Sequence, residues 1–176
     1  MIRKELLDRL ERITEKSLRE LFEKNKEKFY YCSLITDGEG HCTIISAWSY
    51  EALERVTSSI ESQEVKEEYK WSYADSPYFA YGEEYFEDLK NMWEEHLELE
   101  LDDDEFYEEV EIRIDIMEEV MKHLDEKGLF GKGTERLQIV IKAEFMPPDY
   151  SNTERAIRLN PKEAIEEWLE EVAEEE

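Results

Sequence analysis

Histidine and cysteine, the side chains that most often hold transition metals, are scarce: there are three His and two Cys in 176 residues. His41, His96 and His123 lie far apart, without HExxH spacing or a paired-cysteine motif, so the chemistry of a zinc or iron centre is not expected. Glycine (6) and proline (4) are also few, and no linker rich in Gly, Ser or Pro divides the chain, so residues 1–176 are expected to form a single domain. Long apolar runs are missing as well. None approaches the roughly 20 residues needed to cross a bilayer, and the first sixteen residues, MIRKELLDRLERITEK, interleave charges where a signal peptide needs an unbroken apolar region. The expected location is therefore the cytoplasm. The last shortage is of positive charge: 22 Lys and Arg face 48 Asp and Glu, a net charge of −26. Such a field disfavours nucleic acid and anionic membrane, whose binding depends on cationic contacts, and favours either a basic partner or simple solubility.

What is present is core material. Twenty-one aromatic residues (Trp 4, Tyr 10, Phe 7) and a hydrophobic content of 40% are more than a disordered acidic tail would carry. Leu6, Leu10, Ile13, Leu18 and Leu21 recur at helical spacing, which predicts an amphipathic helix from about Ile2 to Lys26. Phe29 to Thr36 and His41 to Ala47 are rich in β-branched and aromatic residues around Asp37-Gly38-Glu39-Gly40, the pattern of a hairpin. With a four-residue loop Thr36 pairs with His41, and Cys32 and Cys42 fall on opposite faces. With a three-residue loop they share a face about 13 Å apart, beyond the reach of a disulfide. Both registers predict free thiols.

Ser49 is placed to cap a helix from about Tyr50 to Ile60, and Tyr69, Trp71 and Tyr73 alternate as a short strand would. Helices are predicted through Tyr85 to Leu97 and through Phe106 to Leu124, the second closed by Gly128, with a loop over Glu98 to Glu105. Leu137 to Phe145 reads as a strand, and Leu159-Asn160-Pro161-Lys162-Glu163 as a helix start with Asn160 as cap. The fold class predicted is α+β: a small, mainly antiparallel sheet, made of the hairpin 29–47 and strands near 69–73 and 137–145, packed with about five helices.

No constellation for catalysis stands out. Glu119 and His123 share a helical face but lack the matching units of a carboxylate-rich metal bundle. The Gly128, Gly131, Gly133 loop, with Lys127, Lys132 and Arg136, follows a helix and precedes a strand, the reverse of a phosphate cradle, so turn geometry explains it and no cofactor is expected. Pro147-Pro148-Asp149-Tyr150 matches a pattern read by WW domains, in what reads as an ordinary loop. Two features suit binding. The acids are concentrated, with eighteen against Lys90 and Arg113 between Glu83 and Glu119, and eight without a base between Glu163 and Glu176. Eight of the 21 aromatics fall between Tyr69 and Phe86. Candidate partner-binding residues are accordingly Asp102, Asp103, Asp104 and Glu105 from the acidic run, with Tyr73, Tyr78 and Tyr81 from the aromatic one.

The order of the hairpin Phe29 to Ala47, Glu51-Ala52-Leu53, Lys70-Trp71-Ser72, Leu124 to Gly131, the strand Ile139 to Ala143 and Leu159-Asn160-Pro161 resembles the bacterial family catalogued as domain of unknown function 4303. The resemblance brings no residue-level activity. It implies a small bacterial protein, of a kind some of whose members look like immunity proteins of toxin systems. The leading expectation is thus a non-enzymatic acidic binding protein, such as an immunity-type inhibitor of a basic toxin or other cationic protein. The alternatives are an enzyme with a carboxylate site, marked by two acids in one cleft with separated pKa values, and a housekeeping protein whose charge serves solubility.

Overall fold

Two stretches of β-branched and aromatic residues separated by a Gly-containing turn pair as the sequence predicts. In the computed structural model, which describes residues 3–40, 42–97 and 102–175, helix α1 (Arg3–Lys24) leads into β1 (Phe29–Asp37) and β2 (Thr43–Ser49). Thr36 faces Thr43 and Cys32 faces Ala47, so the connection is two residues longer than the four-residue loop and the register moves by two. A shift of two preserves the faces of a strand. Cys32 stays buried, Cys42 sits in the connection, and both thiols are free. His41 lies outside the described residues.

Ser49 caps α2 (Tyr50–Thr57), its hydroxyl accepting from the Ala52 amide at 2.9 Å. The chain continues through α3 (Gln63–Lys70), a 3-10 turn at Glu83–Tyr85, α4 (Glu87–Leu97), α5 (Asp103–Glu126), a second 3-10 turn at Arg136–Gln138, β3 (Val140–Met146), α6 (Tyr150–Leu159) and α7 (Lys162–Glu171). The fold is α+β, with seven helices and one three-stranded sheet among the described residues.

Four expectations need correction. The sheet is mixed, not mainly antiparallel: its order is β2-β1-β3, and the central β1 runs antiparallel to β2 but parallel to β3. Parallel pairing needs a long crossover, which here holds α2 to α5. No strand forms near 69–73. Tyr69 and Lys70 end α3, Trp71 follows as its C-cap, and the alternation arises because Tyr69, Trp71 and Tyr73 each turn a ring onto the core. The third strand begins at Val140, since Leu137 and Gln138 belong to the 3-10 turn. Finally, the expected loop over 98–105 ends earlier, because α5 starts at Asp103, while residues 98–101 lie outside the described residues.

The core lies on the face of the sheet carrying Cys32, Leu34, Ile45, Ala47, Ile141 and Ala143. Leu10, Leu18 and Leu21 of α1 and Met117, Met121 and Leu124 of α5 cover it and are fully buried. Their solvent sides are joined by charge. Glu11 meets His123 at 2.8 Å and Lys127 at 2.7 Å, and Arg3 meets Glu119 at 2.8 Å. This is the structural use of the Glu119 and His123 pair. The Gly128 loop is structural too: with Gly128 at φ 79°, the amides of Gly128 and Leu129 close α5 on the carbonyls of Asp125 and Leu124. Arg136 is buried against Asp125 at 2.6 Å and the carbonyls of Ile139 and Leu159.

Both edges of the sheet are covered by side chains or loops. Beside β3, Asn160 accepts from the Ile141 amide (2.9 Å) and donates to its carbonyl (2.7 Å). Asn152 does the same for Phe145, at 2.9 Å each way, and Arg155 donates to the Ala143 carbonyl. Asn160 is therefore committed to the sheet and does not cap α7, where Pro161 holds the cap position without a side-chain bond. Beside β2, Ser76 Oγ donates to the Ala47 carbonyl and the Tyr81 amide to that of Ile45.

Candidate functional site

Tyr31 starts the opposite face of the sheet, the bulge between Phe29 and Tyr31 sets Tyr30 next to it, and two elements distant in sequence build a groove beside them. Ser49 turns the chain so that Tyr50, the first residue of α2, lies against Tyr30, with ring centroids 4.7 Å apart at 33°. The end of α3 brings Trp71 edge-on to Tyr30 at 5.4 Å. The Tyr30 ring is buried and its hydroxyl donates to the Lys70 carbonyl at 2.6 Å, which fixes the wall, whereas Tyr50 is 51% exposed. The resulting groove has a volume of about 650 Å³. Glu51 and Glu54 of α2 border it on one side and Glu163 and Glu167 of α7 on the other, with Lys28 as the one lining base among the described residues.

A cation already sits at the margin of this wall. Lys70 Nζ lies 5.1 Å from the centre of the Trp71 ring and bonds Glu167 at 2.7 Å and Glu171 at 2.9 Å. Trp71 Nε1 donates to the same Glu171 carboxylate at 2.6 Å. Partial burial works against the Lys70 charge, yet the two carboxylates outweigh it and raise its pKa. Partial burial likewise works against the Glu171 charge, and the bonds from Trp71 and Lys70 hold its pKa below the usual range. Burial, then the nearby Glu167, raise the Tyr50 hydroxyl. The arrangement favours positive charge beside an aromatic surface. Glu54 and Glu163 have no partner among the described residues.

The residues singled out from the sequence are dispersed. Asp102 and Glu105 form a capping box at the start of α5, each bonding the other's amide, so these two exposed acids have a structural task. Asp104 is exposed beside them, and the Asp103 side chain lies outside the described residues. Tyr78 does not offer its ring to a partner: it is 7% exposed and its hydroxyl donates to Glu27 at 2.8 Å. Tyr73 and Tyr81 are half-buried against the core, and the exposed ring of that loop is Phe79. The groove residues Tyr30, Tyr50 and Trp71 went unselected because 41 residues separate the first from the last. Glu163 and Glu167 carried a signal, as part of the C-terminal acidic run. Among the described residues no three His, Cys, Asp or Glu are grouped to hold a metal ion, and no helix is long and apolar enough to cross a membrane.

Neither the curated proteins nor the solved structures give a match. The family model described as "Domain of unknown function (DUF4303)" matches residues 10–161, a stretch that runs from within α1 to the residue before α7 and contains all three strands. That match covers most of the chain, and the protein belongs to this family.

Proposed function

We propose that this is a non-enzymatic binding protein that engages a basic protein partner, with the Tyr30, Tyr50 and Trp71 groove receiving a cationic side chain. The observation that supports this reading most is Lys70, whose ammonium is held by the Trp71 ring, Glu167 and Glu171 as a partner's cation would be. The net charge of −26 would steer such a partner inward, and the groove would hold it. An immunity-type inhibitor that neutralises a basic toxin inside a bacterial cell is a role of this kind. The free thiols of Cys32 and Cys42 suit the cytoplasm.

The test is a kinetic one with fluorescein-labelled hexa-arginine as probe. Association should slow as salt rises and in the Asp102→Asn, Asp104→Asn, Glu105→Gln variant, which keeps the capping groups. Tyr50→Ala and Glu163→Gln should instead speed dissociation. Binding that ignores salt, or no binding at about 20 mM ionic strength, where screening is weak, would overturn the reading.

A further inference from the structure

The groove does not end at Tyr50. A second depression, of about 460 Å³, shares Lys28, Tyr50 and Gln138 with the first, so these three residues form a ridge with a groove on either side. The two sides differ in chemistry. On the first stand Glu54, Glu163 and Glu167 beside Trp71. On the second, Phe22, Phe29, Leu129 and Phe130 form an apolar floor, where Phe22 meets Phe29 at 4.8 Å and Phe130 at 6.4 Å, while Asn25, Lys26, Glu27 and Glu135 complete the lining. Phe22, Phe29 and Leu129 are only partly buried and leave apolar surface in that depression.

From this pairing we infer that the partner element is an extended peptide segment that lays a basic side chain in the acidic groove and a large apolar side chain in the second, crossing over Tyr50. The inference rests on the binding reading above and specifies its ligand. In an extended strand, residues i and i+2 point the same way about 7 Å apart, a spacing that suits two depressions divided by one aromatic side chain. Charge complementarity selects the first side chain, since Glu54 and Glu163 carry no partner of their own among the described residues. The aromatic lining selects the second, because burying an aliphatic side chain against Phe22 and Leu129 removes apolar surface from water on both partners. A guanidinium is the favoured cation, being planar enough to lie on the exposed Tyr50 ring while meeting a carboxylate with two parallel bonds.

Three acetylated, amidated peptides separate the contributions: Leu-Gly-Arg-Gly-Leu, Gly-Gly-Arg-Gly-Gly and Leu-Gly-Lys-Gly-Leu. Titrations of the full chain are followed by NMR through the indole N–H of Trp71, which bonds Glu171 at the groove. The first peptide should bind about fivefold or more tightly than the second, which has the same charge and lacks the apolar side chains. It should also outbind the lysine peptide. Leu129→Ser should abolish the advantage over the second peptide while leaving that peptide's own affinity unchanged, and Glu163→Gln should weaken all three. Equal affinity of the first two peptides, or an advantage that survives Leu129→Ser in a folded variant, would overturn the two-groove inference and leave the acidic-groove reading standing. Absence of any titration at low salt would sink both.

Discussion

Lys142 and Glu144 point from β3 to the face opposite the main core, and replacing Lys142 with Met gives a stability effect whose pH dependence can be worked out in sign. Lys142 Nζ lies 2.5 Å from Glu144 Oε1, and their side chains are 3% and 5% exposed. Tyr31 donates to the other carboxylate oxygen at 2.6 Å, and the Lys142 ammonium stands 3.8 Å over the Trp168 ring of α7. Burial pushes the Glu144 pKa upward, but Lys142 and the hydrogen bonds outweigh it, and the carboxyl remains below its ordinary value. Its contribution to wild-type stability is therefore present above the unfolded carboxyl pKa and is lost as pH falls through the lower folded one. Lys142→Met keeps the packing against Trp168, since a thioether suits an aromatic ring, but leaves an uncompensated charge. The cost of breaking such a pair is about 3–5 kcal/mol, or roughly 2 M in urea midpoint for a slope of about 2 kcal/mol per molar. In the variant the Lys142 contribution is gone and burial stands against the Tyr31 bond and the Ser33 hydroxyl alone, so the Glu144 pKa moves above the ordinary value and acid relieves the strain. The deficit relative to wild type should shrink between about pH 7 and pH 4. Adding Glu144→Gln should recover part of the loss at neutral pH. Urea unfolding followed by Trp fluorescence at several pH values measures all of this. A deficit below about 1 kcal/mol at pH 7, where a surface pair would fall, or one that grows on acidification, would refute the reasoning.

Other substitutions test the sheet edge, the helix cap and the thiols. Asn160→Ala removes both partners of the Ile141 peptide group and should cost about 2–3 kcal/mol in urea unfolding, more than the loss of one exposed hydrogen bond. Asp102→Ala deletes the cap of α5 and should cost about 1 kcal/mol, whereas Asp102→Asn should be nearly neutral in the same assay. Burial and the adjacent Asp37 push the Cys42 thiol up to about 11, and burial raises Cys32 further. At pH 7.5 both should react with iodoacetamide far more slowly in the native protein than in urea, as counted by mass spectrometry.

Much of this fold is legible where burial follows a simple period. The apolar spacing in α1 and α5 and the alternation through the hairpin each report an element that turns one face to the core. Helix α3 lacks that signal because it buries no residue. Helix α6 is concealed for another reason: Asn152, Thr153 and Arg155 are buried beside Ala156 and Leu159, so much of its inward face is polar and its apolar signal is short. Asn152 and Arg155 serve β3, whose outer peptide groups they bond, while Thr153 bonds Glu174, and a requirement arising from tertiary structure leaves no local pattern. The parallel pairing of β1 with β3 is similarly silent, being decided by a crossover of many elements. At the groove, the acidity of Glu163 and Glu167 was readable, but their meeting with Tyr30 and Tyr50 depends on that crossover. Tyr78 shows the reverse error, since an aromatic ring in a Pro- and Gly-flanked loop was taken by the core.

The covered sheet edges limit the kind of contact this molecule can make. A protein with a bare edge strand can accept almost any extended chain through its main-chain groups, and recognition of that sort is permissive. Here the carbonyls of Ile45 and Ala47 and the peptide groups of Ile141 and Phe145 are already engaged. A visitor must therefore be read by its side chains, and a strongly acidic protein that is selective in this way can stay concentrated among many basic neighbours without zipping onto their strands or onto copies of itself.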